Sequence, residues 1–292
     1  MTLPGPAAAW ATRRAAAVTA KVVRALAVAV ALMLTLSDSV ATAEFDHQYA
    51  TLADLLRSHV RGARIDYAGL KAGRSRLDAV AAAFAAPDAN PEPQWSREQR
   101  MAFWINAYNV FTLQAIVDHY PIQSRWLTIG PRNSIRQIDG VWTTLSWPAA
   151  GRRVTLDDIE HRILRPVFGD ARIHFAVNCA SVSCPPLAEQ PYRAATLDAQ
   201  LDTAGRRYLS SAEGLQVNGT VVAVSSLFKW YGDDFIARYA SKHPGTRAAR
   251  ERAILGAVSV FGPASTATAL ATPSVSLRFL DYDWSLNDLV RR

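Results

Sequence analysis

One helix constrains the fold of this chain more than any other feature, because it is apolar on nearly every side. Ser96 and Gln99 have the spacing of a capping box, which begins the helix, and Pro121 follows its end. Its middle reads AFWINAYNVFTL, and a helix with apolar residues all round is buried by the rest of the chain. The sequence therefore predicts a buried central helix over residues 97–119.

Two asparagines interrupt the apolar surface of this helix. Asn106 and Asn109 are three residues apart, so they lie on the same side. A buried amide needs hydrogen-bonding partners, and this leaves two interpretations. The amides either hold the backbone of neighbouring loops or line a pocket, and we retain both residues as candidate binding residues.

Shorter patterns predict helices and strands in irregular order. Thr155 has the position of an N-cap for a short helix that Pro166 limits. Residues 172–178, RIHFAVN, alternate between two faces and predict a strand, and Asn218-Gly219 predicts a type I′ hairpin turn. Because helices and strands do not alternate as βαβ units, we expect an α+β fold with an antiparallel or mixed sheet packed around the buried central helix.

The first 43 residues have the pattern of a leader sequence and are separate from the expected domain. Basic residues between positions 13 and 24 precede an apolar run, Ala25–Leu36, and a small-x-small site at residues 41–43. This pattern predicts a signal peptide over residues 1–43, with the mature protein periplasmic or secreted. The apolar run is shorter than the roughly 20 residues that a membrane span needs. We expect a single domain over 44–292, not membrane-spanning, whose N-terminal helical section covers 44–86 before a Pro-rich segment.

The net charge and the sequence motifs limit the classes of ligand and cofactor that the protein is expected to bind. The whole chain has a formal net charge of +7, and the predicted leader accounts for three of these charges. The remaining surplus is small and contains no Lys/Arg run, which argues against nucleic acid and leaves an anionic cell-envelope polymer as a candidate ligand. No phosphate-binding loop or dinucleotide fingerprint is present in the sequence, so no cofactor is expected.

The chain has two cysteines, Cys179 and Cys184, separated by four residues and followed by two prolines. An even number of cysteines in an exported protein indicates a disulfide. A catalytic thiol, a redox pair and a zinc site with His161 and His174 are the alternatives. The zinc alternative lacks the closely spaced ligand pairs that are typical of such sites, so no metal is expected.

The catalytic alternative has suitable partners for a cysteine. A nucleophilic thiol needs an imidazole base and a group that orients the base. His161 is the candidate base, and His174 or Asn106 would position it. Glu160 is a further catalytic candidate, and a cysteine or an activated water would attack an acyl centre.

Three more residues are binding candidates. Arg165 lies four residues after His161 on the same predicted helix. Trp230 and Asp234 belong to KWYGDDF, which combines aromatic and acidic side chains suited to a polar ligand.

Four blocks occur in fixed order: AFWINAYNVFTL, LDDIEHRILR, IHFAVNCASVSCPPL and YDWSLN. Together they resemble the domain-of-unknown-function 547 family, found in exported bacterial proteins and in plant proteins with added domains. The resemblance extends from about Leu52 to Asn287. It implies that the family's characteristic positions are occupied here by Asn106, Asn109, Glu160, His161, Arg165, His174, Cys179 and Cys184. No activity comes with the resemblance.

The sequence is compatible with two functions. The first is a hydrolase-like enzyme with a polar His/Asn/Cys cleft, of the Cys-His-Asn type or with a water activated by histidine. The second is a non-catalytic binding module of the cell envelope, made rigid by a Cys179–Cys184 disulfide.

Overall fold

The central helix is present and buried along most of its length. The computed structural model describes residues 45–85, 94–123 and 130–289. The helix covers Arg97–His119 and is α4 in chain order. Ser96 and Gln99 form the expected reciprocal cap, and every residue from 101 to 117 is buried. The prediction from the apolar surface and the cap is confirmed.

The section before α4 contributes three helices and a small hairpin. Both α2 and α3 pack on α4. In the N-terminal helical section expected over 44–86, Gly73 is the C-cap residue of α2 and separates it from α3. The elements are α1 (Ala50–His59), β1 (Val60–Arg61), β2 (Arg64–Ile65), α2 (Tyr67–Ala72) and α3 (Arg74–Ala85).

A second hairpin and an unusual helix follow α4. β3 (Trp147–Ala149) and β4 (Arg152–Val154) pair antiparallel. Thr155 caps the next helix, since its Oγ1 accepts from the backbone N–H of Asp158 at 3.0 Å. This helix, α5 (Asp158–Phe168), has wide π-type turns and continues past Pro166, so the end expected at this proline is wrong. Wide turns of this kind are frequent at functional sites.

The strand predicted over 172–178 is also wrong, because Ile173–Ala176 form a short helix, α6. Every residue from 171 to 178 is buried. With both sides of the segment buried, alternation of side-chain type carries no information about which face points inward. Asp170 accepts from the N–H of Arg172 at 3.0 Å, which favours a turn at this point.

The C-terminal half joins helices to a mixed sheet. Its elements are α7 (Leu197–Leu209), β5 (Leu215–Asn218), β6 (Val221–Val224), α8 (Ser226–Tyr231), α9 (Ile236–Tyr239), α10 (Ala249–Phe261), α11 (Ala267–Ala271) and β7 (Ser276–Phe279). Short 3₁₀ turns cover Ile135–Gln137, Ala194–Thr196, Gly232–Phe235, Ala240–Lys242 and Ala264–Thr266.

The largest sheet has three strands. β5 and β6 pair antiparallel on either side of a turn at Gly219 and Thr220, where Gly219 has a φ of 58°. The type I′ turn predicted at Asn218-Gly219 is wrong, because Asn218 ends β5 and its φ is not positive. β7 adds to β6 in parallel, with Val222 opposite Leu277. The sheet is therefore mixed, and the expected α+β class is confirmed. The strands of β1–β2 and β3–β4 form separate small sheets.

Two hydrophobic cores share one compact unit, which extends from Phe45 to the end of the described residues. The first surrounds α4, and the second lies between β6 and α8–α10. The short helix α6 joins them, because Ile173 and Ala176 belong to the first core and Phe175 to the second. His174, between these residues, is consequently held where the two cores meet.

Some expectations lie outside the described residues: the signal peptide over 1–43 and most of the Pro-rich segment over 87–95. Within the described ranges, none of the helices combines the length and the hydropathy of a membrane-spanning segment.

Candidate functional site

A cavity of about 360 Å³ brings together most of the polar residues that the sequence indicated. Its walls come from α4, α5, α6, α8 and the loop that carries the cysteines. Six polar or titratable side chains line it: Asp157, Glu160, His161, His174, Cys179 and Cys184. Six aromatic side chains complete the walls: Tyr108, Trp142, Trp230, Tyr231, Tyr282 and Trp284.

A continuous chain of polar contacts connects the two histidines. His174 Nε2 lies 2.7 Å from Asp234 Oδ2. The guanidinium of Arg165 donates twice to the same carboxylate, through Nε at 2.7 Å and Nη2 at 2.9 Å. Arg165 also contacts His161 Nδ1 through Nη1 at 3.1 Å. Arg165 and Asp234 are thus outside the lining of the cavity and contact two of its lining residues, His161 and His174.

Asp234 is firmly ionised in this arrangement. Burial by itself would raise the pKa of its carboxyl, but hydrogen bonds with His174 and Arg165 hold that pKa well below its usual range. The bidentate geometry with Arg165 is the strongest form of carboxylate recognition. The charge of Asp234 is therefore paired, and it fixes α5 relative to α6.

His174 is held on all sides. Its side chain is 1% exposed, and its ring stacks on Tyr231 with 4.1 Å between ring centroids. Its Nδ1 lies 3.9 Å from Glu160 Oε1, so both ring nitrogens face carboxylates. This imidazole is placed to position Asp234 and Arg165, whereas no hydrogen bond joins it to either sulfur.

The contact with Arg165 determines which nitrogen of His161 faces the cavity as a donor. An arginine can only donate, so its contact requires that His161 Nδ1 accepts and carries no proton. A neutral imidazole then has its proton on Nε2, which lies 3.6 Å from Asp157 Oδ1 in the cavity wall. In this state His161 offers an N–H donor to a ligand. The assignment of His161 as general base stays a prediction, and in the tautomer that this contact requires its Nε2 donates and does not accept.

Glu160 has a buried position beside the imidazoles. It lies on α5 next to His161, with its side chain 10% exposed. Burial, followed by the nearby Glu160 carboxylate, raises the pKa of the Tyr231 phenol. Tyr231 therefore stays protonated, and Glu160 is the carboxylate that the cavity presents beside the cysteine loop.

The cysteine loop is shaped by two amides. Asn109 donates to Ala176 O at 3.0 Å and accepts from Asn178 N at 2.8 Å. Asn178 then accepts from the N–H of Ala180, which has a left-handed φ of 60°. A non-glycine residue in this region stores strain, and such strain often occurs at functional sites.

The C-terminal segment holds the other side of this loop. Ser181 and Leu286 form an antiparallel bridge, and Asn287 N donates to Ala180 O at 3.0 Å. The hydroxyl of Tyr282 lies 3.3 Å from Cys179 Sγ, although the two residues are 103 positions apart in the chain. The YDWSLN block therefore belongs to the site.

The two cysteines are free thiols in the structure, with 2.9 Å between their sulfur atoms. The contact with Cys184, together with hydrogen bonds from Ser181 and Tyr282, outweighs burial and lowers the pKa of the Cys179 thiol to about 7. Burial raises the pKa of the Cys184 thiol, which is the more enclosed of the two. The pair therefore consists of one thiol that ionises near neutral pH and one that stays protonated.

The asparagines of α4 do not line the cavity. Asn106 exchanges two hydrogen bonds with the backbone of Tyr192, at 2.8 and 2.9 Å. Asn109 does the same with the backbone of the cysteine loop. Of the two interpretations open from the sequence, the structure shows the one in which buried amides hold neighbouring loops.

Other functional positions carried little signal in the sequence. Trp230, a predicted binding residue, packs against Tyr282 and Trp284 with centroid separations of 4.9 and 5.7 Å. These rings, with Trp142, form an aromatic wall of the cavity. Asp157 lines the cavity and Ser181 contacts Cys179, although no motif in the sequence indicates either residue. For Tyr282 and Trp284, the YDWSLN block is the signal that the sequence offers.

Among the residues that the structure describes, no group of three or more His, Cys, Asp or Glu side chains has positions that could hold a metal ion.

Comparison with known proteins supports the resemblance noted from the sequence. Residues 93–209 match the model of a family described as "Protein of unknown function, DUF547". This range contains α4, α5, α6 and both cysteines, whereas the aromatic residues from Trp230 onward lie beyond it. The comparison with curated proteins and the comparison with solved structures gave no match.

Alkylation of Cys179 is expected to follow its lowered pKa. Because the thiolate reacts and the thiol does not, the rate with iodoacetamide should rise with a midpoint near pH 7, about one to two units below an ordinary cysteine. Tyr282→Phe removes one donor to the sulfur and should move the midpoint upward. Peptide mass spectrometry with fragment sequencing measures each cysteine separately.

Tyr120→Phe is the matched control for this substitution, because its hydroxyl donates to Asp288 at 2.8 Å instead of to a sulfur. The control should leave the midpoint unchanged. A Cys179 midpoint above pH 8 in the unmodified chain would show that the sulfur is not activated.

Proposed function

We propose, from the geometry of the cavity, that this protein is a cysteine-dependent hydrolase of acyl compounds. The observation that carries the proposal is the environment of Cys179. Its sulfur lies in a cavity, receives hydrogen bonds that favour the thiolate, and shares the space with an imidazole donor and a carboxylate. These are the parts that acyl transfer through a nucleophile requires.

The thiolate is stabilised without an imidazolium partner. The contacts of Cys179 Sγ are Cys184 at 2.9 Å, Ser181 at 3.2 Å and Tyr282 at 3.3 Å. These groups supply neutral donors, whereas the two imidazoles are occupied by Arg165 and Asp234. The nucleophile would therefore be available at neutral pH while both histidines keep their observed partners.

The first half of the reaction forms a thioester. Cys179 Sγ attacks the carbonyl carbon of the substrate, and the developing negative charge on oxygen is stabilised by the Nε2–H of His161. The bond to the leaving group then breaks, and this group departs as an anion that takes a proton from water. An amine cannot leave in this way, so the proposal favours esters and thioesters over amides.

The second half returns the free enzyme. Glu160 accepts a proton from a water molecule, whose oxygen attacks the thioester carbonyl. The carbon–sulfur bond breaks, the acid is released, and Cys179 is restored as a thiolate. Glu160 then loses its proton to solvent. His174 and Asp234 keep Arg165 and His161 in place and are positioning residues in this scheme.

A second candidate is a binding module whose cavity holds a ligand without changing it. The aromatic wall of Trp142, Trp230 and Trp284 favours this reading, since such walls bind ligands without chemistry. The two adjacent sulfurs would then form a structural disulfide that makes the rim rigid. A thiol count on native protein separates the two candidates, because the hydrolase needs a free Cys179.

We propose in addition that residues 1–43 direct export, so that the enzyme acts outside the cytoplasm. The cell envelope is then its place of action.

Hydrolysis of simple acyl probes tests the enzyme proposal. We expect turnover of p-nitrophenyl acetate or phenyl thioacetate, with an acetyl group trapped on Cys179 by acid quenching and intact-mass analysis. Cys179→Ala should lower kcat/KM by roughly 10³-fold or more. Glu160→Gln should lower the rate of deacylation by roughly 10²-fold, so that the acetylated form accumulates.

Cys184→Ala is the matched control, because it removes the other sulfur and keeps the nucleophile. It should remain active with its pH profile moved to higher pH, since the largest contribution to the lowered pKa is lost. Equal hydrolysis by Cys179→Ala and the unmodified chain, with no acyl adduct, would exclude Cys179 as nucleophile.

Export is tested by the mature N-terminus. When the full chain is expressed in a bacterial host, protein from the periplasmic fraction should begin at Glu44. Ala43→Leu places a bulky residue at the cleavage position and should block processing, whereas the matched Thr42→Leu should be processed normally. An unprocessed chain confined to the cytoplasmic fraction would contradict the export proposal.

A further inference from the structure

A second cavity lies on another side of α5, apart from the cysteines. It encloses about 730 Å³ and is formed by α4, the β3–β4 hairpin and α5. Glu160 and His161 line the first cavity, whereas Asp158 and Arg162 of the same helix line this one. We call it the arginine groove, after the four arginines that line it: Arg100, Arg152, Arg153 and Arg162.

The charge of the arginine groove is unbalanced. Asp158 is the one acidic side chain among the described residues that line it. The Oδ2 atom of Asp158 already accepts from the N–H and the hydroxyl of Thr155, each at 3.0 Å. Hydrogen bonds from Thr155, with Arg162 and Arg152 nearby, lower the pKa of this carboxyl. Arg152, Arg153 and Arg162 therefore outnumber the ionised carboxylate in the described lining, which makes this concave surface positive.

Two of these arginines present their guanidinium groups at the surface. Arg152 lies over the ring of Trp104, with 5.6 Å from its guanidinium carbon to the ring centroid. Arg162 contacts Asp158 Oδ1 at 3.1 Å through Nη1, and its side chain is 77% exposed. A guanidinium pairs with a phosphate or carboxylate through two parallel hydrogen bonds, so these groups suit an oxyanion.

The same groove has an apolar strip beside the charges. Val167 is 57% exposed, among the largest exposures of the apolar side chains in the described residues. Ile163 and Phe168 lie beside it in the lining, each with a small exposed part of its side chain, and Trp104 is buried at the base. Arg97 donates to the carbonyl of Phe168 and lies over its ring, which brings one more cation to this end. A ligand that fills the groove would contact guanidinium groups with one part and apolar carbon with another.

We propose that the arginine groove binds an anionic amphiphile, in which a phosphate head is joined to an apolar body. The head would pair with Arg152 and Arg162, and the apolar body would lie along Ile163, Val167 and Phe168. This site is independent of Cys179 and of the acyl chemistry proposed above. The phosphate could belong to a lipid headgroup or to a soluble phosphate ester, and the experiment below distinguishes these sources.

Calorimetric titration of the full chain measures the binding directly. The probes are dihexanoylphosphatidic acid below its micelle concentration, phenyl phosphate as a soluble ester, and dihexanoylphosphatidylcholine, which has the same chains with a zwitterionic head. We expect binding of at least one of the two anionic probes, weakened by added salt, and weak or no binding of the zwitterionic lipid. Preference for phosphatidic acid identifies a lipid source, and preference for phenyl phosphate identifies a soluble ester.

Substitutions locate the binding. The pair Arg152→Gln with Arg162→Gln should weaken binding by roughly tenfold or more, because it removes two charge-assisted contacts. Arg64→Gln with Arg76→Gln is the matched control, since it removes the same charge from exposed positions outside the groove. Val167→Asp is a second test of the groove, and it should weaken binding by opposing the anion and removing apolar surface.

Three results would overturn the proposal. The first is no binding of either anionic probe by the unmodified chain at millimolar concentration. The second is equal weakening by the groove pair and the control pair, which would indicate a general effect of net charge. The third is binding of inorganic phosphate as tight as that of both anionic probes, which would remove the role of the apolar strip.

Discussion

The carboxylate of Asp234 is the interaction on which the site depends. It accepts two hydrogen bonds from Arg165 of α5 and lies in hydrogen-bonding contact with His174 of α6. It therefore connects the turn after α8 to both helices. An exposed ion pair contributes less than about 1 kcal/mol, whereas removing one partner of a buried pair costs roughly 3–5 kcal/mol. Asp234 and Arg165 lie between these limits, with side chains 25% and 32% exposed. The pair therefore matters more for the position of the imidazoles than for the stability of the fold.

The ion pair between Asp234 and Arg165 also determines which nitrogen atoms of His161 and His174 are occupied. Arg165 occupies Nδ1 of His161, which places the proton of a neutral ring on Nε2 at the cavity wall. Asp234 and Glu160 occupy the two nitrogens of His174. In the proposed hydrolase both imidazoles keep these partners and neither acts as the base. The proposed activation of Cys179 rests on the neighbouring thiol of Cys184 and on the hydroxyls of Ser181 and Tyr282.

Sequence patterns predicted the parts of the fold that depend on interactions between residues close together in the chain. The cap at Ser96, the apolar surface of α4 and the position of the hairpin turn at Gly219 are of this kind. The strand predicted over 172–178 was wrong because all residues of this segment are buried. Alternation of side-chain type therefore did not distinguish a strand from a helical turn. Five polar residues singled out from the sequence line one cavity: Glu160, His161, His174, Cys179 and Cys184. The sequence could not supply the partnership of His174 with Asp234, which are 60 positions apart, or that of Cys179 with Tyr282.

The central claim is that Asp234, through Arg165, keeps His161 as a neutral donor directed into the cavity. The most direct test is the protonation state of the imidazole nitrogens, measured by two-bond proton–nitrogen correlation in NMR at neutral pH. The account predicts an unprotonated Nδ1 and a protonated Nε2 for His161, and loss of this fixed state in Asp234→Asn. A proton on Nδ1 of His161 in the unmodified chain, or the same spectrum in both proteins, would contradict it.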